Sequence, residues 1–314
     1  EPVSGVWDLK CEARDTILFL SSSYLNPDHW SRYDPAIDEV KRTALYIKSP
    51  ADFSDCEILR EFATSRDGTR VPLNIIRRKG TKLDGMNPVL LYGYGGYGIS
   101  LSPFFWPRMR VWLDLGGVLV IANLRGGGEY GEEWHKAGNL TRKQNVFDDF
   151  IACAEYLVQT KYTTPQRLCI EGASNGGLLM GAALTQRPDL FRAVVAHVGV
   201  YDMLRVELDS NGAFNVTEYG TVNNPQHFEA LYDYSPYHHV KQGTKYPAIL
   251  LTAGENDGRV LAYHSRKMTA KLQSASASGN PILLRTSASG HGFGTPLEEQ
   301  IAEERTVREL QAVG

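Results

Sequence analysis

Residues 168–184 read LCIEGASNGGLLMGAAL: a short, mostly apolar run, then glycines clustered around one serine, then small and apolar residues at helical spacing. The segment reads as a buried strand that turns abruptly into a helix. Its turn, GASNG, fits the pattern GxSxG with Gly172, Ser174 and Gly176. In that arrangement the serine occupies a sharp, strained strand-to-helix turn, and the flanking glycines leave room for the neighbouring strand and helix. The hydroxyl is thereby lifted into the open. GxSxG arises often by chance, so the weight rests on the strand before it and the small-residue helix after it. The competing reading is a glycine-rich helix start with Ser174 as an ordinary N-cap.

The same alternation extends outward. Strand-like runs at RVPLNIIRR (70–78), PVLLYGYGG (88–96), GGVLVIANLRGGG (116–128), RAVVAHV (192–198), YPAILLTAG (246–254) and PILLRTS (281–287) join RLCIEGA (167–173). Helical patterns fall between and after them, at 146–160, near 176–184, at 260–274 and at 297–310. The first of these helices places Phe147, Phe150, Ile151, Ala154 and Leu157 on one face. Near-continuous apolar strands alternating with helices predict an α/β domain with a doubly wound, mostly parallel sheet covered on both faces. The first seventy residues differ. Short strand-like segments at 16–20, 43–47 and 56–64 are separated by polar, proline-bearing stretches such as NPDHWSRYDP, with no long amphipathic helix. We therefore expect a β-rich segment over 1–68, too short for its own core, and a catalytic α/β domain over 69–314.

The 314 residues suffice for one large α/β domain, and 33 basic against 36 acidic residues leave a charge of −3. That balance gives no sign of nucleic acid or of an anionic membrane surface as a partner. No apolar run approaches the roughly 20 residues that span a bilayer, which points to a soluble chain. Because the sequence starts at Glu1 and not at Met, it does not fix a compartment. The scattered Cys11, Cys56, Cys153 and Cys169 read as buried thiols, with a Cys11–Cys56 disulfide as the alternative. Cysteine and histidine spacing builds no metal site, and no cofactor is implied.

A doubly wound sheet binds ligands beyond the carboxyl ends of its strands, so chemistry belongs in the loops that follow them. A serine hydroxyl needs a base to take its proton, and the base needs a carboxylate to fix its tautomer. YPAILLTAG runs into GENDGRV, which offers Asp257 with Glu255 as competitor, and PILLRTS runs into ASGHGFG, which offers His291. The order Ser174, Asp257, His291 suits this topology. The other histidines carry less weight. His197 ends a strand before the acid, His264 falls in the helix after it, and His238 and His239 are adjacent on a segment read as extended and structural. His29, His135 and His227 lie in polar surroundings away from a strand end. For a developing oxyanion, one donor is the backbone N–H of Asn175, and the loop LYGYGGYG offers the phenol of Tyr94 as a second. RGGGEYG (125–131) is no phosphate cradle, since no GK[ST] follows and its glycines miss GxGxxG.

Taken together, LYGYGGYGIS, ANLRGGGEYGEEWHKAG, GASNGGLL, TQRPDLFRAVV, DMLR, YSPYHHV, DGRV with HSRK, and SGHG resemble the prolyl oligopeptidase family of serine peptidases, in order and at similar spacing. The resemblance covers about residues 64–296 and implies an α/β-hydrolase fold. It implies a Ser174, Asp257, His291 triad, with the Tyr94 hydroxyl and Asn175 N–H as oxyanion hole. It further implies that Arg259 grips a substrate carbonyl near the scissile bond, and that Tyr97, Val200, Tyr219 and Val260 line the pocket for the residue before the cut. Members that grip proline stack it on a tryptophan four residues before the tyrosine of the DYG-like segment. Here, in NGAFNVTEYG, that position holds Asn215 with Phe214 beside it, which suggests a broader or different pocket. The family's β-propeller cap has no counterpart, and the first seventy residues resemble the end of its last blade plus the returning linker. Two expectations follow. One is a fragment or processed chain of a peptidase acting on short peptides. The other is a short natural or engineered hydrolase, a carboxylesterase acting on small esters with the same triad. An inactive binding module that keeps the fold is a third reading, disfavoured by the complete set of candidates. Oligomeric state is not legible.

Overall fold

The computed structural model of the chain describes residues 3–12, 15–292 and 295–312. Its strands form two sheets. The first is antiparallel and follows sequence order: β1 (Ser4–Cys11), β2 (Ile17–Ser23), β3 (His29–Asp34) and β4 (Glu39–Tyr46). The second contains β5 (Cys56–Thr64), β6 (Arg70–Arg78), β7 (Val89–Gly93), β8 (Val118–Ala122), β9 (Leu168–Ala173), β10 (Ala193–His197), β11 (Ala248–Gly254) and β12 (Ile282–Ser287). Its spatial order is β12-β11-β10-β9-β7-β8-β6-β5, parallel from β12 to β8, with β6 antiparallel to β8 and β5 antiparallel to β6. The helices are α1 (Met109–Asp114), α2 (Glu132–Lys136), α3 (Gln144–Gln159), α4 (Asn175–Gln186), α5 (Gly212–Tyr219), α6 (Pro225–Tyr234), α7 (Pro236–His239), α8 (Tyr263–Ala275) and α9 (Leu297–Ala312).

Strands β7 to β11 are buried on both faces, and their period-two alternation sorts side chains into two cores. Val89 and Leu91 of β7, Val118 and Val120 of β8, and Val194 of β10 face one core, which Phe147 and Phe150 of α3, Leu178 and Leu179 of α4, and Met268 and Leu272 of α8 complete. Leu90, Leu119 and Val195 face the other, covered by Trp112 and Leu113 of α1 and by Val307 and Leu310 of α9. Val3, Tyr24 and Phe53 join this second core. The N-terminal sheet is therefore attached to the α/β domain through residues flanking its strands, while β1 and β4 are themselves largely exposed.

Several local expectations change. NPDHWSRYDP is not a connector, since it contains β3, whose mostly polar and half-buried residues carry no apolar alternation. β5, grouped with the N-terminal segment from its sequence, pairs with β6 over its whole length and forms the edge of the eight-stranded sheet. A tight turn joins them, with Ser65 N–H donating to Thr69 O and Gly68 at φ +88°, so the sheets divide between β4 and β5. His238 and His239 lie on the short helix α7 and not on an extended segment. All four thiols are free; Cys56, Cys153 and Cys169 are buried, but Cys11, on the little-covered strand β1, is exposed. Among the described residues no helix is long and apolar enough to cross a membrane.

Phe150 bears on what positions the site, because its ring fills the space beside Gly93 where that glycine has no side chain. Phe150→Ala is expected to lower unfolding free energy by about 3–5 kcal/mol, read from urea denaturation. A loss below about 1 kcal/mol would mean that the ring is not part of a packed core.

Candidate active site

The turn between β9 and α4 places Ser174 at φ +59° and ψ −118°, a left-handed backbone for a residue with a side chain. It persists because the surroundings hold it: Ser174 N–H donates to His197 O at 2.8 Å, and Ser174 O accepts from Gly177 N at 2.8 Å. A side chain at position 172 would meet the backbone of residue 176 at 2.5 Å, and one at position 176 would meet Gly93 O at 2.8 Å. The crossing of strand and helix therefore requires glycine at both places. Ser174 faces a cleft of about 370 Å³ lined also by Tyr94, Tyr97, Val200, Asn215, Arg259 and His291.

The imidazole of His291 reaches the cleft from the loop after β12, and its Nδ1 stands 2.6 Å from Asp257 Oδ2. A carboxylate only accepts, so Nδ1 carries the proton and Nε2 is left as the basic nitrogen. The other oxygen of Asp257 accepts from the backbone N–H groups of Arg259 (2.8 Å) and Val260 (3.0 Å). Asp257 is thus buried with both oxygens occupied. Glu255, the competitor in sequence, turns away and pairs with Arg266 on the surface.

Tyr94 lies across the cleft in the loop after β7. Burial raises the pKa of its phenol, the charge of Glu218 adds to the rise, and a hydrogen bond with Ser174 pulls the other way. The group is therefore a neutral donor at physiological pH. Asn175, at the first position of α4, is buried, and its side chain ties three elements together. Its Nδ2 donates to Tyr94 O at 2.5 Å, and its Oδ1 accepts from the Tyr219 hydroxyl at 3.0 Å.

The far end of the cleft is aromatic. Tyr97 is edge-on to Tyr219, with ring centroids 5.7 Å apart, and stacks on Phe214 at 5.4 Å with planes 6° apart. Its hydroxyl donates to Asn215 Oδ1 at 2.9 Å. The structure thus brings Tyr94, Tyr97, Ser174, Val200, Phe214, Asn215, Tyr219, Arg259, Val260 and His291 to one cleft, with Asn175 and Asp257 directly behind them. Ile99 and Asn211 also line it; no motif in the sequence singles them out. His264 acts indirectly: its Nδ1 accepts from the N–H groups of Tyr201 and Asp202, and its Nε2 donates to Asp209, fixing the loop that carries Val200. Among the described residues no group of three or more His, Cys, Asp or Glu side chains is placed to hold a metal ion.

A mostly parallel sheet with a strained serine elbow and an acid and histidine in later strand-end loops defines an α/β hydrolase. Comparison with known proteins narrows the class. Residues 103–309 match the prolyl oligopeptidase family. The prolyl endopeptidase of Elizabethkingia miricola is 42% identical over 286 residues, 90% of this chain and 40% of that protein. The dual function macrocyclase-peptidase POPB of Galerina marginata is 38% identical over 311 residues, 95% of this chain and 42% of that protein. Among solved structures, one from a study of two prolyl endopeptidases superposes with a TM-score of 0.90 at 42% identity, over 98% of this chain and 45% of that one. Oligopeptidase B from Leishmania major gives 0.88 at 33% identity, over 99% of this chain and 44% of that one. The chain belongs to the prolyl oligopeptidase family, and it spans about 40% of the length of these curated relatives.

Behind the elbow lies a second ionic cluster. His197, at the end of β10, places Nδ1 2.9 Å from Glu303 of α9 and Nε2 3.6 Å from Glu171, three residues before Ser174. Burial alone would depress the imidazole, but the two carboxylates outweigh it and push its pKa up to about 10. A folded value above the ordinary 6.5 means that the contribution to stability is complete below pH 6.5 and is lost as pH rises through about 10. The urea midpoint is therefore expected to fall over that window more steeply in the wild type than in His197→Gln. Equal slopes would show that the imidazole is not held charged in the fold.

Proposed function

We propose that the chain is the catalytic part of a serine peptidase that cleaves peptide bonds of short peptides through an acyl-enzyme. The observation that carries the reading is the 2.6 Å contact between His291 and Asp257 in the cleft that Ser174 faces from its elbow. The family relatives support the substrate class, since they are named endopeptidases and peptidases.

In this reading Ser174 Oγ attacks the scissile carbonyl carbon while Nε2 of His291 takes its proton. Asp257 keeps the proton on Nδ1 and stabilises the imidazolium that forms. The carbonyl oxygen becomes an oxyanion, which the Tyr94 phenol and the Asn175 N–H receive; the N–H opens α4, where the helix dipole also favours negative charge. Collapse of the intermediate breaks the C–N bond, and His291 returns the proton to the departing amine. Water then repeats the sequence on the acyl ester and frees Ser174. Arg259, exposed at the cleft, grips a peptide carbonyl near the scissile bond, and Tyr97, Val200, Phe214, Asn215, Tyr219 and Val260 shape the pocket for the residue before the cut.

Ser174→Ala is expected to lower turnover by about 10⁴-fold or more and to abolish labelling by a fluorophosphonate; a loss of only tenfold would place the nucleophile elsewhere. Hydrolysis of a short aryl ester and of an internal Gly-Pro anilide tests the bond type. The peptidase reading expects both to be cleaved, whereas rapid ester turnover with no anilide cleavage would identify an esterase using the same triad.

A further inference from the structure

Beside the cleft lies a buried ion pair that no step above uses. Lys143, just before α3, and Glu218, near the end of α5, have side-chain exposures of 0% and 1%, and Nζ stands 2.7 Å from Glu218 Oε1. The other oxygen of Glu218 accepts from His135 Nε2 at 2.8 Å. The ammonium also donates to Gly95 O at 3.0 Å and lies 5.3 Å from the centre of the Tyr219 ring. Burial draws Lys143 below its ordinary pKa, and Glu218 opposes that fall. An apolar pair of similar volume would fill such a site without the desolvation that two ions suffer, so stability alone does not account for the charges.

What the pair touches gives it a role. Gly95 follows Tyr94, and the loop turns through three left-handed residues, Gly95 at φ +63°, Tyr97 at φ +56° and Gly98 at φ +64°. A loop of that shape holds only when its surroundings fix it. Two successive carbonyls are fixed, Tyr94 O by Asn175 and Gly95 O by Lys143.

We propose that Lys143, seated by Glu218, is a positioning residue that pins the Gly95 carbonyl and so holds the Tyr94 phenol where the oxyanion forms. The proposal rests on the oxyanion role given to Tyr94 above. Its test is a double-mutant cycle between Tyr94→Phe and the volume-conserving double replacement Lys143→Met with Glu218→Leu, followed with an aryl ester. A peptidyl aldehyde, which forms an oxyanion on Ser174, and the matching peptide acid, which does not, serve as inhibitors. The double replacement is expected to lower kcat about 10–100-fold with KM within about twofold. Affinity for the aldehyde should fall by a similar factor and that for the acid should not. In the Tyr94→Phe background the further loss should be less than about threefold.

Additive losses, or parallel weakening of aldehyde and acid, would overturn the positioning role. Tyr94→Phe without effect on kcat would instead overturn the oxyanion assignment, and this proposal with it. If the double replacement does not fold, Glu218→Gln, which keeps the shape and removes the charge, enters the same cycle with the same reading.

Discussion

The structure depends on one close crossing of backbones. β9 must end, reverse into left-handed backbone at Ser174 and start α4 while packed between β7 and β10. The contact is so tight that a methyl group at position 172 or 176 would strike backbone on α4 or β7, and one at 177 would strike Gly199 at 2.5 Å. Such backbone is unfavourable for a serine by about 1–3 kcal/mol. The hydrogen bond from Ser174 N–H to His197 O and the near-complete burial of α4 offset that cost. The backbone of Ser174 is thereby fixed by the fold itself, with the residue facing the cleft.

Everything else at the cleft follows from sheet order. β9, β10, β11 and β12 are adjacent and parallel, so the loops after them open on one side. They deliver Ser174, Val200, Asp257 and His291 in turn. The acid is fixed by its own loop, since the N–H groups two and three residues on close onto Asp257. The imidazole of His291 is in turn held by its hydrogen bond to Asp257. Order therefore passes from backbone to carboxylate to imidazole, and in the proposed reaction the last of these is the group that exchanges protons.

This explains what was legible in the sequence. The elbow and the proposed acid and histidine were readable because each sits in a short local pattern at the end of a strand whose apolar run marks it as buried. Seven strands of the larger sheet, β6 to β12, were readable for the same reason, whereas β5 reads as part of the N-terminal segment. β1 and β3 were not, because their residues are largely exposed or half-buried and carry no alternation to read. α5 and α6 were missed between the strong signals of β10 and β11, although Asn224 caps α6 by accepting from Gln226 N and His227 N, a start signal visible in NNPQ. Glu218 meets Lys143 and His135 from 75 and 83 residues away in the sequence. A buried charge of this kind looks like any surface charge until its partner is placed beside it.

The substitution that most separates this pocket from the proline-gripping pattern is also more than the loss of a ring. By the resemblance, Asn215 falls where those members carry tryptophan; its amide oxygen accepts from the Tyr97 hydroxyl, and the neighbouring Phe214 stacks on the Tyr97 ring. Tyr97 is thus held by a polar anchor at one end, by an aromatic face above, and by the edge contact with Tyr219 beside it. Tyr219 in turn donates to Asn175, whose amide donates to Tyr94 O. The wall that would select the residue before the cut and the loop that would receive the oxyanion are therefore parts of one hydrogen-bonded assembly. A side chain that shifts Tyr97 on binding must also disturb the contacts that hold Tyr94. In the proposed reaction, selection at such a site would act on turnover as well as on affinity, because a poorly fitting residue would be penalised at the transition state and not only on entry.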